Sequence, residues 1–272
     1  MKFELDNSRK IELSVAAATS IAMVVLIAVV AQLSLPAHQQ SLQPDLVEPI
    51  VVFPDFAAIP SVDVKKQQFF DYLQDYIAAE NNAIAEIRQE LTAYADIANS
   101  GVAFSARERE WVLELAETYR IDNSGLDDRD IVNELMLRVD VLPISLALAQ
   151  AANESAWGTS RFVLEANNIF GQWCYAEGCG VVPSRRRDGA THEVKRFESI
   201  ESAVEAYLIN INSHPSYQYL REMRAEMRRR KQALDPMVLA YGLGRYSERG
   251  DHYVDEVQNI ILHNDLRRRD QG

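Results

Sequence analysis

Cysteine is nearly absent: the 272 residues contain two, Cys174 and Cys179, and five scattered histidines. His192, His214 and His252 stand in unlike contexts without metal-ligand spacing, and two sulfurs lacking histidine partners leave zinc under-coordinated. No metal or other cofactor is expected. Net positive charge is lacking too, since 28 Lys and Arg face 40 Asp and Glu for a net charge of −12. A polyphosphate partner would be repelled by most of such a surface, which excludes a general nucleic-acid binder. No internal repeat is visible.

Charge is also missing locally, from Leu13 to Leu35, where Val, Ala, Ile, Leu and Met dominate until Pro36. At ~1.5 Å per residue this run reaches across the ~30 Å hydrocarbon core of a bilayer. Lys2, Arg9 and Lys10 precede it, so the positive-inside rule keeps residues 1–12 as a cytoplasmic tail and exports the chain beyond Pro36. A cleaved signal peptide cut near Ala31 is the alternative, but the run is long for that and lacks an obvious A-x-A site. The expectation is a single-pass inner-membrane protein, with residues 13–35 as signal anchor and its bulk in the periplasm. In an exported chain, Cys174 and Cys179 at such close spacing read as one disulfide stapling a tight loop.

Proline and helical periodicity divide the rest. Five prolines between Pro36 and Pro60 mark residues 36–62 as an extended tether. Phe70, Leu73, Ile77, Ile84, Ile87, Leu91 and Tyr94 then recur at helical spacing, giving an accessory helical segment over 63–100, either one helix or a hairpin broken near Asn81-Asn82. Ser105 to Glu108 form a capping box opening the next helix, Asp127 or Asp128 caps another, and Pro143 suits the first turn of a helix from Ile144 to about Glu154. Helical regularity lapses from Gln172 to Phe197, where Val181-Val182 and Glu193 to Phe197 fit a small β-hairpin. It resumes at Ile200, around Tyr217–Gln232 and across Tyr253–Leu262. The fold class is mainly α (α+β), with a catalytic domain spanning 101–266.

Glu154 lies where a long apolar helical stretch ends. Hydrolysis of a sugar-sugar linkage needs a proton for the leaving oxygen and stabilisation of an oxocarbenium-like centre. A carboxyl shielded by Trp157, near the negative end of a helix, stays protonated at higher pH than a solvated one and suits the first task. A solvated Glu in a last helical turn is the plainer alternative.

Four segments in register add to this: Ala149-Gln150-Ala151-Ala152-Asn153-Glu154-Ser155-Ala156-Trp157-Gly158-Thr159-Ser160, Asn167-Asn168-Ile169-Phe170-Gly171, Phe197 to Val204, and Tyr246-Ser247-Glu248-Arg249-Gly250 with Tyr253. Together they resemble the lysozyme-like N-acetylglucosaminidases of glycoside hydrolase family 73, most closely the Bax-type branch, over residues 140–265. The resemblance implies a lysozyme-like fold, with an α-rich lobe, a small β-hairpin lobe and a cleft between them. It implies an endo-beta-N-acetylglucosaminidase acting on peptidoglycan glycan strands, with Glu154 as general acid and Tyr246 near the catalytic centre. Asn168 and Phe170 would shape the cleft floor, and Trp157 and Gly158 would fix the turn after the helix.

Trp173 is placed either to stack on a pyranose face or to pack beside the disulfide loop, and Tyr253 is offered to the substrate-binding set with a core tyrosine as the commoner reading. A second carboxylate is expected from the β-lobe, with Glu193 favoured over Asp188 and the more distant Glu177. A substrate-assisted course through the N-acetyl group needs none of them. Two alternatives keep other functions open, a lytic transglycosylase and a non-catalytic wall-binding or envelope scaffold protein. The 63–97 helix is expected to cover and restrain the cleft.

Overall fold

A computed structural model describes residues 53–184, 186 and 189–271. The expected tail, the 13–35 anchor, the tether up to residue 52, and Asp188 lie outside the described residues. Among those described, no helix is long and apolar enough to cross a membrane.

Helix α1 runs unbroken from Val62 to Ser100, capped by the Ser61 side chain and closed by Gly101 at φ 78°. No hairpin forms at Asn81-Asn82. Asn81 instead uses its amide for a tertiary contact: Nδ2 donates to the Leu142 carbonyl at 2.8 Å and Oδ1 accepts from the Leu142 N–H at 3.1 Å. The stripe Phe69, Phe70, Leu73, Ile77, Ile84 and Leu91 is buried in the same core as the later helices. Each such side chain contributes about 1.5–3 kcal/mol by burial, so the stripe is comparable to the whole stability of about 5–15 kcal/mol of a typical domain. This segment is therefore part of the fold and not a removable accessory over a finished domain. The tether also ends earlier than expected, because Phe56 is buried in a short 3₁₀ turn and meets Phe69 edge-on at 5.5 Å.

Helix α2 (Ala106–Thr118) opens with the expected Ser105/Glu108 capping box, and α3 (Asp128–Arg138) is capped by Asp127. Helix α4 (Ile144–Ser155) begins after Pro143, which provides no side-chain cap. Asp270 supplies one from far along the chain, accepting from the Ser145 N–H at 2.8 Å and its hydroxyl at 2.6 Å. Between α3 and α4, fully buried Arg224 donates to the carbonyls of Arg138 and Asp140 at 3.0 and 2.9 Å. Burial would push the Asp140 carboxyl up, but hydrogen bonds from Arg228 and the charges of Arg224 and Arg88 prevail and hold it below the usual range.

After α5 (Arg161–Ala166) come β1 (Trp173–Cys174), β2 (Gly180–Val181) and β3 (Glu193–Lys195). The expected hairpin is enlarged into a three-stranded antiparallel sheet of order β1-β3-β2, with Trp173 opposite Val194 and Gly180 opposite Lys195. Only glycine fits at 180, since a Cβ there would stand 1.9 Å from the Val194 carbonyl oxygen. Helices α6 (Ile200–Ser213), α7 (Gln218–Arg229), the single turn α8 (Pro236–Leu239) and α9 (Asp251–His263) complete the body, followed by a 3₁₀ segment Leu266–Gln271. The result is mostly helical with one small sheet placed after the Glu154 helix.

Candidate active site

Glu154 occupies the last turn of α4, whose preceding residues Ser145 to Ala152 are buried. The chain then turns through three successive left-handed residues, Ala156, Trp157 and Gly158, at φ 50°, 60° and 75°. Such a conformation costs a non-glycine residue about 1–2 kcal/mol. Here it is offset by the Gly158 N–H donating to Ser155 Oγ at 2.8 Å and by Trp157 packing against Phe70, with ring centroids 5.3 Å apart. The turn ends α4 abruptly and leaves Glu154 at its edge.

One carboxyl oxygen of Glu154, Oε1, is buried without a hydrogen-bond partner. The other, Oε2, lies so near Gly171 that a Cβ there would stand 3.0 Å away. Burial raises the carboxyl above its ordinary range. Hydrogen bonding by Tyr253 and the Arg249 charge oppose that, and Glu256 adds to it. Arg249 is itself paired with Glu256, which also accepts from Asn153 at 3.2 Å. Desolvation is thus the main cause of the upward shift, ahead of any charge.

A group of aromatic rings backs this carboxyl. Tyr246 and Tyr253 stack with centroids 5.3 Å apart and planes at 6°, and Phe170 stacks on Tyr207 at 3.8 Å. Tyr246 donates its hydroxyl proton to the Phe170 carbonyl at 2.8 Å, fastening the turn that carries Gly171. Burial raises the hydroxyls of Tyr207, Tyr246 and Tyr253 well above their usual range, so all three remain protonated donors.

The sequence assigned Tyr246 to catalysis and Asn168, Phe170 and Tyr253 to substrate. The last three are at most 1% exposed, which leaves them no surface for a sugar. They build the wall behind Glu154 instead. Asn168 donates to the carbonyls of Gln172 and Lys195 at 2.8 and 2.7 Å and accepts from the Gln172 N–H at 2.9 Å, tying the turn to β3. Trp173 differs, being 53% exposed while stacked on His192 at 4.1 Å.

Glu193 also departs from its expected role. Its Oε1 and Oε2 accept from the backbone N–H groups of Gly178 and Gly180 at 3.1 and 2.8 Å, and these bonds hold its carboxyl below the ordinary range. It clamps the loop closed by the Cys174–Cys179 disulfide, whose Cα atoms are 6.2 Å apart. The two sulfurs and this carboxylate lie within 4.8 Å of one another, but sulfurs bonded to each other are not metal ligands. Glu177 is exposed on the same loop.

Sequence reasoning assigned no role to Gln150, Tyr207 or Gly171. Gln150 had a signal, as a polar residue amid an apolar helix one turn before Glu154; Tyr207 shares helical spacing with Ala203, Val204 and Leu208 and carries none. A groove of about 940 Å³ along α2, bordered by Phe104, Arg109, Leu113 and Glu117, shares no residue with these surroundings.

Residues 129–266 match the family described as Glucosaminidase, mannosyl-glycoprotein endo-beta-N-acetylglucosaminidase. Protein bax of Escherichia coli (strain K12) is 32% identical over 200 residues, covering 74% of this chain and 70% of that protein. The crystal structure of the autolysin Auto catalytic domain from Listeria monocytogenes is 17% identical with a TM-score of 0.42, covering 78% of this chain and 92% of that one.

Proposed function

This chain belongs to the glucosaminidase family, and from that footing we propose that it is a glycoside hydrolase cutting peptidoglycan glycan strands on the N-acetylglucosamine side, with Glu154 as general acid. The observation that supports this best is the Glu154 carboxyl itself, with Oε1 buried and unpartnered and its pKa raised by burial. A carboxyl shifted upward keeps its proton to higher pH than a solvated one and delivers it to the leaving glycosidic oxygen as the bond to the anomeric carbon breaks. The carboxylate that remains is stabilised by the Tyr253 hydroxyl and the Arg249 charge. Glu193 is committed to two backbone amides, which favours assistance by the substrate's own N-acetyl group over a Glu193 nucleophile.

In this reading the glycan lies between the helical body and the small sheet, as in a lysozyme-like enzyme, with Trp173 offering a stacking surface to a pyranose. Residues 13–35 anchor the chain in the inner membrane and the catalytic domain works in the periplasm. The Cys174–Cys179 bridge suits that oxidising compartment.

The test incubates the full chain, in mild detergent, with purified sacculi and identifies the products by mass spectrometry. New reducing-end N-acetylglucosamine is expected, and Glu154→Gln should lose roughly 10²–10⁴-fold in rate. A wild-type rate in that variant would remove Glu154 from the reaction. Products ending in 1,6-anhydro sugar would mark a lytic transglycosylase, and no cleavage by any form would leave a wall-binding scaffold.

A further inference from the structure

Gln150 stands one helical turn before Glu154 on α4, so the two side chains lie on one face. It is fully buried, where an unsatisfied amide is costly. Its two ends meet two tyrosines. The Tyr207 hydroxyl donates to Oε1 at 2.6 Å, and Nε2 donates to the Tyr253 hydroxyl oxygen at 2.9 Å.

The direction of these bonds matters more than their number. Tyr207 is itself buried and must place its proton on an acceptor, and Gln150 Oε1 is that acceptor. The amide is thereby fixed, and its other end can only donate. Tyr253 therefore receives a hydrogen bond from Gln150, and its own proton is turned elsewhere. The reversed amide would draw the Tyr253 proton onto Oε1 and deprive Tyr207 of this acceptor.

Apart from Gln150, four groups are to be weighed as the acceptor of the Tyr253 proton. Arg249 lies over the ring at 5.3 Å and has no acceptor to offer. Tyr246 is stacked on it with its own hydroxyl engaged by the Phe170 carbonyl, and Glu256 is engaged by Arg249 and Asn153. The fourth is the Glu154 carboxyl, which shares a side-chain hydrogen bond with Tyr253. The Glu154 charge acts in turn on Tyr207, Tyr217 and Tyr246, and with burial as the larger cause it raises their hydroxyls and keeps them neutral.

We propose that Gln150 is a positioning residue which, anchored by Tyr207, aims the Tyr253 proton at Glu154, so that the carboxylate formed on proton delivery meets a donor already in place. This rests on the reading of Glu154 as general acid. It assigns Gln150 no contact with substrate.

The experiment records kcat/KM against pH for the full chain on sacculi, tracking new reducing ends. Activity falls as pH rises through the pKa of the acid, because the acid must be protonated. Gln150→Met keeps the volume and loses both bonds. Without the Tyr253 donor the carboxylate is less stable, so the falling limb should move to higher pH and the plateau should drop roughly tenfold. Tyr253→Phe should do the same, and adding Gln150→Met to Tyr253→Phe should change neither quantity further. Tyr207→Phe, the milder change, should move the limb in the same direction by less, and it carries the test if Gln150→Met does not fold.

A limb that stays in place in both Gln150→Met and Tyr207→Phe, or effects of Gln150→Met and Tyr253→Phe that add fully, would overturn the proposal. Glu154→Gln in the same assay separates the two levels. An active Glu154→Gln defeats the acid assignment itself, whereas an inactive one with an unmoved limb in the Gln150 and Tyr207 variants defeats only the role of Gln150.

Discussion

Gly171 and Glu154 are in such close contact that a single methyl group at 171 would stand 3.0 Å from the Glu154 Oε2. Gly171 also adopts φ +65°, a conformation that side chains rarely take. Gly171→Ala thus meets two obstacles together. We expect a loss of about 1–2 kcal/mol in urea unfolding and a larger proportional loss of wall-cleaving rate, because the displaced group is the proposed acid. Unfolding and activity losses of equal size would mean that Gly171 serves the fold alone.

Glu80, on α1, provides a pH test of the fold. Burial first, then the charges of Glu205 and Glu201, raise its carboxyl to about 7. The native state thus holds a proton that the unfolded chain has already released, so stability falls as pH rises from the ordinary carboxyl range to about 7. Glu80→Gln should melt higher than the parent at about pH 8 and should match it near pH 4, below both pKa values. A difference in melting temperature that is constant over this range would contradict the assignment.

Removal of α1 tests whether it restrains the enzyme or builds it. A chain beginning at Val102 loses Phe69, Phe70, Leu73, Ile77, Ile84 and Leu91 from the core. We expect it to be aggregated or to lack near-ultraviolet dichroism. A folded fragment with raised activity would restore the view of this helix as a cover.

The second carboxylate is addressed by Glu193→Gln and Asp188→Ala under single-turnover conditions. Glu193 is expected to act on the loop, so Glu193→Gln should make the Cys174–Cys179 bridge easier to reduce. Neither variant should slow the bond-breaking step tenfold. A tenfold or greater slowing in either would reinstate a protein nucleophile.

The chemistry was more legible in the sequence than the scaffolding. Glu154 stood out because an apolar helix, a Trp-Gly turn and the Asn-Asn-Ile-Phe-Gly segment surround it in linear order. The Ser105–Glu108 capping box and the paired cysteines were legible for the same reason, since their partners lie within a few residues. Asn81 misled, because asparagine in a helix usually competes with the backbone, whereas here its amide serves residue 142. Phe170 carried no mark of burial, since an aromatic ring looks the same in a sequence whether it stacks on sugar or on another ring. Gln150 and Tyr207 bond across 57 positions, and no local period records such a pair.

Asp270 caps the first turn of the Glu154 helix from 125 positions downstream of Ser145. The chain is made from its N-terminal side, so that helix is complete long before its cap exists. Until then α4 lacks a side-chain partner at its start, and Glu154 at its other end stands in an unfinished scaffold. The order of residues therefore makes the start of the Glu154 helix wait on a residue made 125 positions later.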